Sequence, residues 1–439
     1  GDHSIAATFL YGASERKQNY TEAKSQKFSR LSLGFNSLEL GKDQFASSDA
    51  WSEALLYQMF RLNYKYKNKY LLTATVRRDG FSGFAENNKS AVFPSVALGW
   101  ILSEEKWFKI SWIDQLKVRG GWGISGNQTS RYKSLAKVKT EPGYVFGDGR
   151  ATETVQQIEA MGNGDLKWEK TEGFNVGLDF SLFKNRLTGS LELYNTTTRD
   201  LLYDMVIPTI TGFSNVSSNI GKIRNKGVEL TITSRNFVLP DFEWSTTFNI
   251  SANRNEIKSL LGRDDDGDGY EDDLVSSNLF IGESTSAIYD YQIDGIWQLN
   301  DDIPNGYHPG NYRVVDTDEN GKIDVNDRVI LGYKDPAYRF GIMNKFRWRD
   351  LTFSFFINSV QGGKNGYMQK NSETLNRGNA NDLRWNRISE LATDYWSPNN
   401  PNATYSRSIA APAIAGTNYQ QRSFVRLQDV TLGYNLPKT

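Results

Sequence analysis

From Phe174 to Asn195 the chain reads FNVGLDFSLFKNRLTGSLELYN. Phe174, Val176, Leu178, Phe180 and Leu182 are apolar, and the residues between them are small or polar. A Lys184-Asn185-Arg186 turn follows. Leu187, Leu191 and Leu193 then alternate with Thr188, Ser190 and Glu192. Side chains on a strand point to opposite faces in turn, so each run has one greasy face and one wet face. Two such runs joined by a tight turn predict a β-hairpin.

The same period recurs along the chain. Ile5, Phe9 and Tyr11 share a face, as do Leu56, Phe60, Leu62, Tyr64 and Tyr66. After a Lys67-Asn68-Lys69 turn, Tyr70, Leu72, Ala74 and Val76 repeat it. Further runs cover Val92 to Trp100, Leu116 to Ile124, Val228 to Ile232, Phe242 to Ala252, Tyr338 to Trp348, and Leu351 to Ile357. Phe424 to Leu436 closes the series, with a phase slip at Gln428-Asp429 that predicts a bulge. Short polar turns alternate with long Gly/Asn/Asp-rich connections near 127–170, 260–294 and 361–423. Tyr66, Tyr70, Trp100, Trp112 and Trp348 stand near strand ends. Short turns on one side, long loops on the other and aromatic girdles predict an all-β chain: a transmembrane antiparallel β-barrel segment occupying 1–439. A soluble sandwich or propeller also alternates. Strand length, turn asymmetry and the placed aromatics favour the barrel, and no fixed-period repeat supports a propeller.

Composition narrows the choice. The 439 residues are 38% hydrophobic, and 51 basic residues balance 51 acidic ones, so no overall field draws the chain to nucleic acid. Cysteine is absent, which excludes disulfides, thiolate metal sites and cysteine nucleophiles. No apolar run reaches the roughly 18 residues of a membrane-spanning helix. Gly1-Asp2-His3 leads straight into a strand-like run without a signal peptide, so the chain is expected to start inside a larger protein.

One segment carries the spacing of a calcium loop. Asp316, Asp318, Asn320, Asp324 and Asp327 place oxygens at positions one, three, five, nine and twelve. Lys322 offers its carbonyl at position seven, and Gly321 allows the sharp turn. Asp327 replaces the usual glutamate, which shortens the reach. The expected ion is Ca2+, in a structural role. Asp264 to Asp273 repeats the acidic spacing with Val275 at position twelve and reads better as a solvated loop. Gly121-Trp-Gly123-Ile-Ser-Gly126 matches a dinucleotide fingerprint by letter only, because no amphipathic helix follows. His3 and His308 form no pattern, so a histidine-based triad or zinc site has no support. The long loops are rich in rings that suit sugars or peptides. Trp297, Tyr307, Tyr312, Trp385, Tyr395 and Trp396 are the candidate ligand contacts, against the alternative that they pack their own loops.

Several stretches resemble one family. Tyr70 to Trp107, LKVRGGWGISGNQ from Leu116, DLKWEKTEGFNVGLDFSLFKNRLTGSLELYNTTTRDLL from Asp165, NIGKIRNKGVEL from Asn219, YRVVDTDENGKIDVNDRVILG from Tyr312 and SFVRLQDVTLGYNLP from Ser423 are similar to the SusC/RagA family of TonB-dependent outer-membrane transporters. The resemblance covers the later part of such a protein; the plug domain and the final strands would lie outside the chain. It implies a plugged barrel in the outer membrane of a Gram-negative bacterium, without covalent chemistry. The implied partners are a SusD-like surface lipoprotein acting as a lid, the TonB energy-coupling complex, and an oligosaccharide or oligopeptide cargo. The competing reading is a non-transporting surface adhesin or glycan-binding protein.

Overall fold

A computed structural model describes residues 1–29, 32, 36–146, 151–213, 215–365, 394–407 and 412–436. Among them the regular elements are strands and short 3-10 turns, with no α-helix. In chain order the strands are β1 (His3–Phe28), β2 (Gly41–Tyr66), β3 (Tyr70–Phe81), β4 (Ser90–Ile101), β5 (Ile113–Asn127), β6 (Lys137–Phe146), β7 (Ala151–Ala160), β8 (Glu169–Leu182), β9 (Leu187–Val206) and β10 (Asn215–Val238). They continue as β11 (Phe242–Ser259), β12 (Ala287–Tyr291), β13 (Ile293–Ile296), β14 (Tyr312–Val314), β15 (Arg328–Tyr333), β16 (Tyr338–Trp348), β17 (Leu351–Gln361), β18 (Lys364–Asn365), β19 (Gln420–Gln421) and β20 (Phe424–Tyr434). Twelve of them form one sheet in the order β1-β2-β3-β4-β5-β8-β9-β10-β11-β16-β17-β20. The other eight pair locally within the long connections. Two compact units make up the chain. One holds Gly1–Ile101, Arg119–Asn175 and Thr196–Lys222; the other holds Leu102–Val118, Val176–Asn195 and Ile223–Thr439.

In the first unit, β1 to β4 pair antiparallel, with Phe9 opposite Phe60, Phe60 opposite Val76 and Val76 opposite Pro94. Because facing residues share a face, one side collects Ile5, Phe9, Leu56, Phe60, Val76, Val92, Val96 and Leu98. All eight are exposed, Phe9 at 72%. An apolar face left open over this many strands is what a lipid-facing wall requires. The opposite face is polar along the strands, where Thr73 donates to Asn63 at 2.9 Å and Arg61 to Thr75 at 3.2 Å. The glycines of β5 fit this wall. A Cβ at Gly126 would come within 2.1 Å of the Phe93 ring, and one at Gly121 within 2.5 Å of the Asn175 amide. They make room for cross-strand side chains rather than cradling a phosphate.

The short-turn end of this unit carries a ladder of rings. His3, Tyr66, Tyr70 and Trp100 occupy successive registered positions, with centroids 4.8, 6.1 and 6.3 Å apart. Lys67 and Asn68 both adopt left-handed backbone there, at φ 50° and 55°, the conformation that primed hairpin turns need. At the other end, Phe81, Phe84, Phe93, Leu166 and Trp168 form a buried cluster where the connections fold back over the polar face.

The second unit repeats the plan. β11 pairs with β16, β16 with β17 and β17 with β20, all antiparallel. Val425, Leu427, Val430 and Leu432 on β20 are all exposed. Their spacing changes phase once, because Phe356 faces Asp429 and Ile357 faces Leu427, leaving Gln428 as the extra residue of a bulge. The short-turn end again carries aromatics, with Trp112 stacked on Phe183 at 5.6 Å and Trp244 on Phe346 at 5.5 Å. The connection expected to end near 294 runs from the end of β11 at Ser259 to the start of β16 at Tyr338. Its short strands β12 to β15 pair only with each other.

Val96 and Ala97 are adjacent and exposed on opposite faces of β4. In the full-length protein folded into phospholipid bilayers, Val96→Arg should cost about 2–4 kcal/mol, as expected for a cation near the midplane, and Ala97→Arg much less. Equal costs in a urea titration would contradict this assignment of faces.

Candidate functional site

Above β11 and β16 the second unit builds a layer of interlocked loops. β12 pairs with β15 and β13 with β14. The segment around Trp396 closes over them. Gly310 sits at φ +91°, where a Cβ would lie 2.3 Å from the Trp396 ring, so a glycine lets the indole lie flat on the backbone. The Trp396 indole N–H donates to Gln298 at 3.0 Å, and its backbone N–H to the Tyr405 carbonyl at 2.8 Å. The Arg407 backbone N–H donates to the Gly310 carbonyl at 2.7 Å, and the Tyr419 hydroxyl to Asp290 at 2.8 Å. Loops distant in sequence thus share one small core.

That core decides which rings face solvent. Trp396 is 4% exposed and Tyr312 8%. The Tyr312 hydroxyl donates to the Thr404 carbonyl at 3.3 Å, and burial pushes its pKa up. Both were expected as ligand contacts; the structure uses them as rivets instead, because the two loops meet over them. Trp297 is half-buried beneath the Arg313 guanidinium at 5.5 Å, and Arg313 is itself held by Asp294 at 2.6 Å. Tyr307 is half-buried and Tyr395 is exposed. Trp385 lies outside the described residues.

The acidic turn lies just before β15. Asp316, Asp318 and Asp327 bring one carboxylate oxygen each within 4.8 Å of one another. Asp327 is 0% exposed. Its two oxygens accept the backbone N–H groups of Thr317 and Asp324, both at 2.7 Å. The bond from Asp324 is the chief reason its pKa lies below the ordinary carboxylate value. Asp318 is pushed the other way, first by lost hydration and then by the neighbouring Asp316 and Asp327 carboxyls. Asp316 accepts from Asn320 at 3.2 Å and Gly321 at 2.7 Å, and Gly321 supplies φ +82° for the turn. The other three expected ligands make hydrogen bonds within the turn. Asp324 caps the 3-10 turn Val325–Asp327 by accepting from the Asn326 N–H at 2.8 Å. The Asn320 amide donates to Asp318 at 2.9 Å, and its oxygen accepts from the Lys322 N–H at 2.8 Å. Three carboxylates thus gather at one point, an all-oxygen group of the kind that fits a hard cation. Asp264, Asp266 and Asp268 converge equally but are all exposed.

With this geometry, comparison with known proteins is decisive. The sequence pattern of the family described as TonB dependent receptor-like, beta-barrel, matches residues 2–439. The chain belongs to this TonB-dependent receptor β-barrel family. It is 32% identical to TonB-dependent receptor P3 of Formosa agariphila, over 100% of this chain and 44% of that protein. It is 34% identical to TonB-dependent receptor SusC of Bacteroides thetaiotaomicron, over 86% of this chain and 38% of that protein. The chain thus spans less than half the length of these relatives. The structure of the RagAB peptide transporter shares the fold, with a TM-score of 0.77 at 23% identity, covering 99% of this chain and 47% of that one. In a TonB-dependent receptor wall the open apolar face is the lipid face and the polar face is the lumen.

The riveting role of Trp396 is open to direct test. Trp396→Ala should destabilise the loop layer by about 3–5 kcal/mol and speed proteolysis between β11 and β16, while the strands keep their circular dichroism. Unchanged cleavage would show that the indole is dispensable.

Asp327 makes the acidic turn pH-sensitive. Its folded pKa lies below the unfolded value of about 3.9. Its contribution is therefore fully present above that value and is lost as pH falls through the folded pKa. The turn should hold at pH 7 and loosen below about pH 4. Asp327→Asn should abolish this acid transition in hydrogen exchange of Thr317 and Asp324.

Proposed function

We propose that the chain is the later part of the wall of an outer-membrane importer, located in a Gram-negative bacterium, that takes up an oligosaccharide or an oligopeptide. The observation that carries the reading is membership of the TonB-dependent receptor family over residues 2–439. Uptake is active and coupled to the TonB complex through parts of the protein beyond this chain. A SusD-like lipoprotein closes the mouth. The protein performs no covalent chemistry.

The inward face suits a hydrated cargo. The Thr171 and Thr198 hydroxyls bond at 2.9 Å, Lys117 lies 3.5 Å from Asp179, and the Tyr194 hydroxyl donates to Asn253 at 3.1 Å. Such a surface exchanges hydrogen bonds with hydroxyls or amides with little desolvation penalty. Among the candidate rings in the described residues, Tyr395 keeps exposed surface for stacking. Asp316, Asp318 and Asp327 would hold a calcium ion, whose charge offsets the lost hydration and then the repulsion that raise Asp318. The role of that ion is to fix the turn between β14 and β15.

Deleting the whole gene should abolish uptake of one labelled cargo class, oligosaccharide or oligopeptide, and removing TonB should do the same. Normal uptake of both classes in both strains would overturn the proposal. Tyr395→Ala should weaken cargo affinity by about 0.5–1.5 kcal/mol without altering barrel assembly.

A further inference from the structure

The first unit contains a recess of about 370 Å³ whose lining holds three cations and no acid. Strand register sets the side on which it opens. Phe60 faces Val76 and Arg78 faces Val92, and Phe60, Val76 and Val92 are exposed on the lipid face. Arg78 follows Val76 and Ser90 precedes Val92 by one full alternation, so both share that face. On β8, Thr171 turns inward to bond Thr198, so Lys170 turns outward with the exposed Phe174 and Val176. Arg78, Ser90, Val92 and Lys170 are all exposed, and the recess opens among them. Ala91 and Trp168 close its back against the buried cluster, and the Trp168 indole N–H donates to the Lys89 carbonyl at 3.1 Å.

Its height follows from strand length. The outward positions of β3 are Tyr70, Leu72, Ala74 and Val76 before Arg78, and those of β4 are Trp100, Leu98, Val96, Pro94 and Val92 before Ser90. Tyr70 and Trp100 belong to the ring ladder at the short-turn end. The run from Tyr70 to Arg78 on a tilted strand rises about 20 Å, close to the roughly 25 Å apolar band of an outer-membrane wall. Arg78 and Ser90 therefore stand at the opposite headgroup level, at the long-loop end, which in such walls faces the cell exterior.

Its charge is available. Among the described residues Arg78 and Lys170 have no ion-pair partner, while Lys167, the third cation, is held by Asp200 at 3.0 Å. The acids nearby are turned away or engaged. Asp79 is buried on the inward face and holds Arg77 at 2.8 Å. Glu169 turns inward with Thr171 and accepts the Leu202 N–H at 3.3 Å. Glu172, on the outer face of β8, pairs with Arg199 and accepts the Trp122 indole N–H at 3.1 Å. Glu86 stands on the turn between β3 and β4, outside the lining.

We propose that this recess binds a phosphate group of an outer-leaflet glycolipid, held by Arg78, Lys170 and the Ser90 hydroxyl while the acyl chains lie along the apolar run of β3 and β4. Guanidinium and ammonium groups at a membrane surface recognise phosphate by charge-assisted hydrogen bonds. Val92 at the rim and Val76 and Val96 below it give the first carbons of the chains an apolar surface. The proposal uses the membrane assignment but not the cargo or the lid, so uptake and this binding fail independently.

The test uses the full-length transporter in detergent, probed by native mass spectrometry with a diphosphorylated glucosamine-based glycolipid, the same lipid dephosphorylated, and inorganic phosphate. Surface cations contribute about fivefold each, so the double variant R78Q/K170Q should bind the phosphorylated glycolipid more than tenfold more weakly. K67Q, at the other membrane boundary, should bind it as wild type does. Wild type should bind the dephosphorylated lipid as weakly as the double variant binds the phosphorylated one. Equal binding by double variant and wild type, or of both lipids by wild type, would overturn the proposal. So would inorganic phosphate competing at equimolar concentration, which would mark a site for free phosphate instead. Lost cargo uptake with unchanged lipid binding in the double variant would mark a lumen site and overturn it as well. If the double variant fails to fold, Arg78→Gln alone should still lose about fivefold, and no loss counts against the headgroup.

Discussion

A wall that crosses lipid must satisfy every backbone N–H and C=O within itself, because hydrocarbon offers no partners. Much of this structure follows from that demand. It forces the crossing segments into one continuously paired sheet, and pairing fixes an alternation in which neighbouring residues face different solvents. Val96 and Ala97 are adjacent in sequence yet belong to different environments. Where the alternation must change phase, as on β20, one residue is looped out at Gln428 so that Val425 and Leu427 stay on the same side as Val430 and Leu432. The glycines of β5 belong to the same logic, since they leave room beside the ladder for Phe93 and Asn175.

Outside the membrane the demand relaxes, and the loops behave as small globular structures. Their cores need rings just as any core does. Tyr312 and Trp396 supply them, and Gly310 opens the surface on which Trp396 lies. Backbone groups there are met by side chains and turns rather than by a long ladder. The acidic turn is the compact example: Asp327, Asp324 and Asp316 each accept backbone N–H groups, and three carboxylates are drawn together. Lost hydration, and then this crowding, raise Asp318 and invite a cation.

The two membrane boundaries are built differently. At the short-turn end, rings dominate, with His3, Tyr66, Tyr70 and Trp100 in one stack and Trp112 on Phe183 in another. Amphipathic rings suit an interface where one edge is greasy and the other wet. An aromatic rim of this kind anchors depth in the bilayer. At the long-loop end of β3 and β4 the apolar run gives way instead to Arg78 and Ser90.

The wall was legible in the sequence because a period of two is a local property: lipid and lumen act on each strand separately, whatever its neighbours. Phe174 to Asn195, the turn at Lys67 and the slip at Gln428 could all be read from residues a few places apart. Loop roles could not. Trp396 and Tyr395 are adjacent aromatics, and only the meeting of distant segments buries one and exposes the other. Spacing alone made Asp324 a cation ligand, while the 3-10 turn that follows claims it as a cap. The recess draws Arg78, Ser90, Val92 and Lys170 from separate stretches of chain, so no window of sequence contains it. Periodicity, set by solvent, determined the strands and their faces. Contact between remote loops, set by packing, decided which side chains remain free to bind.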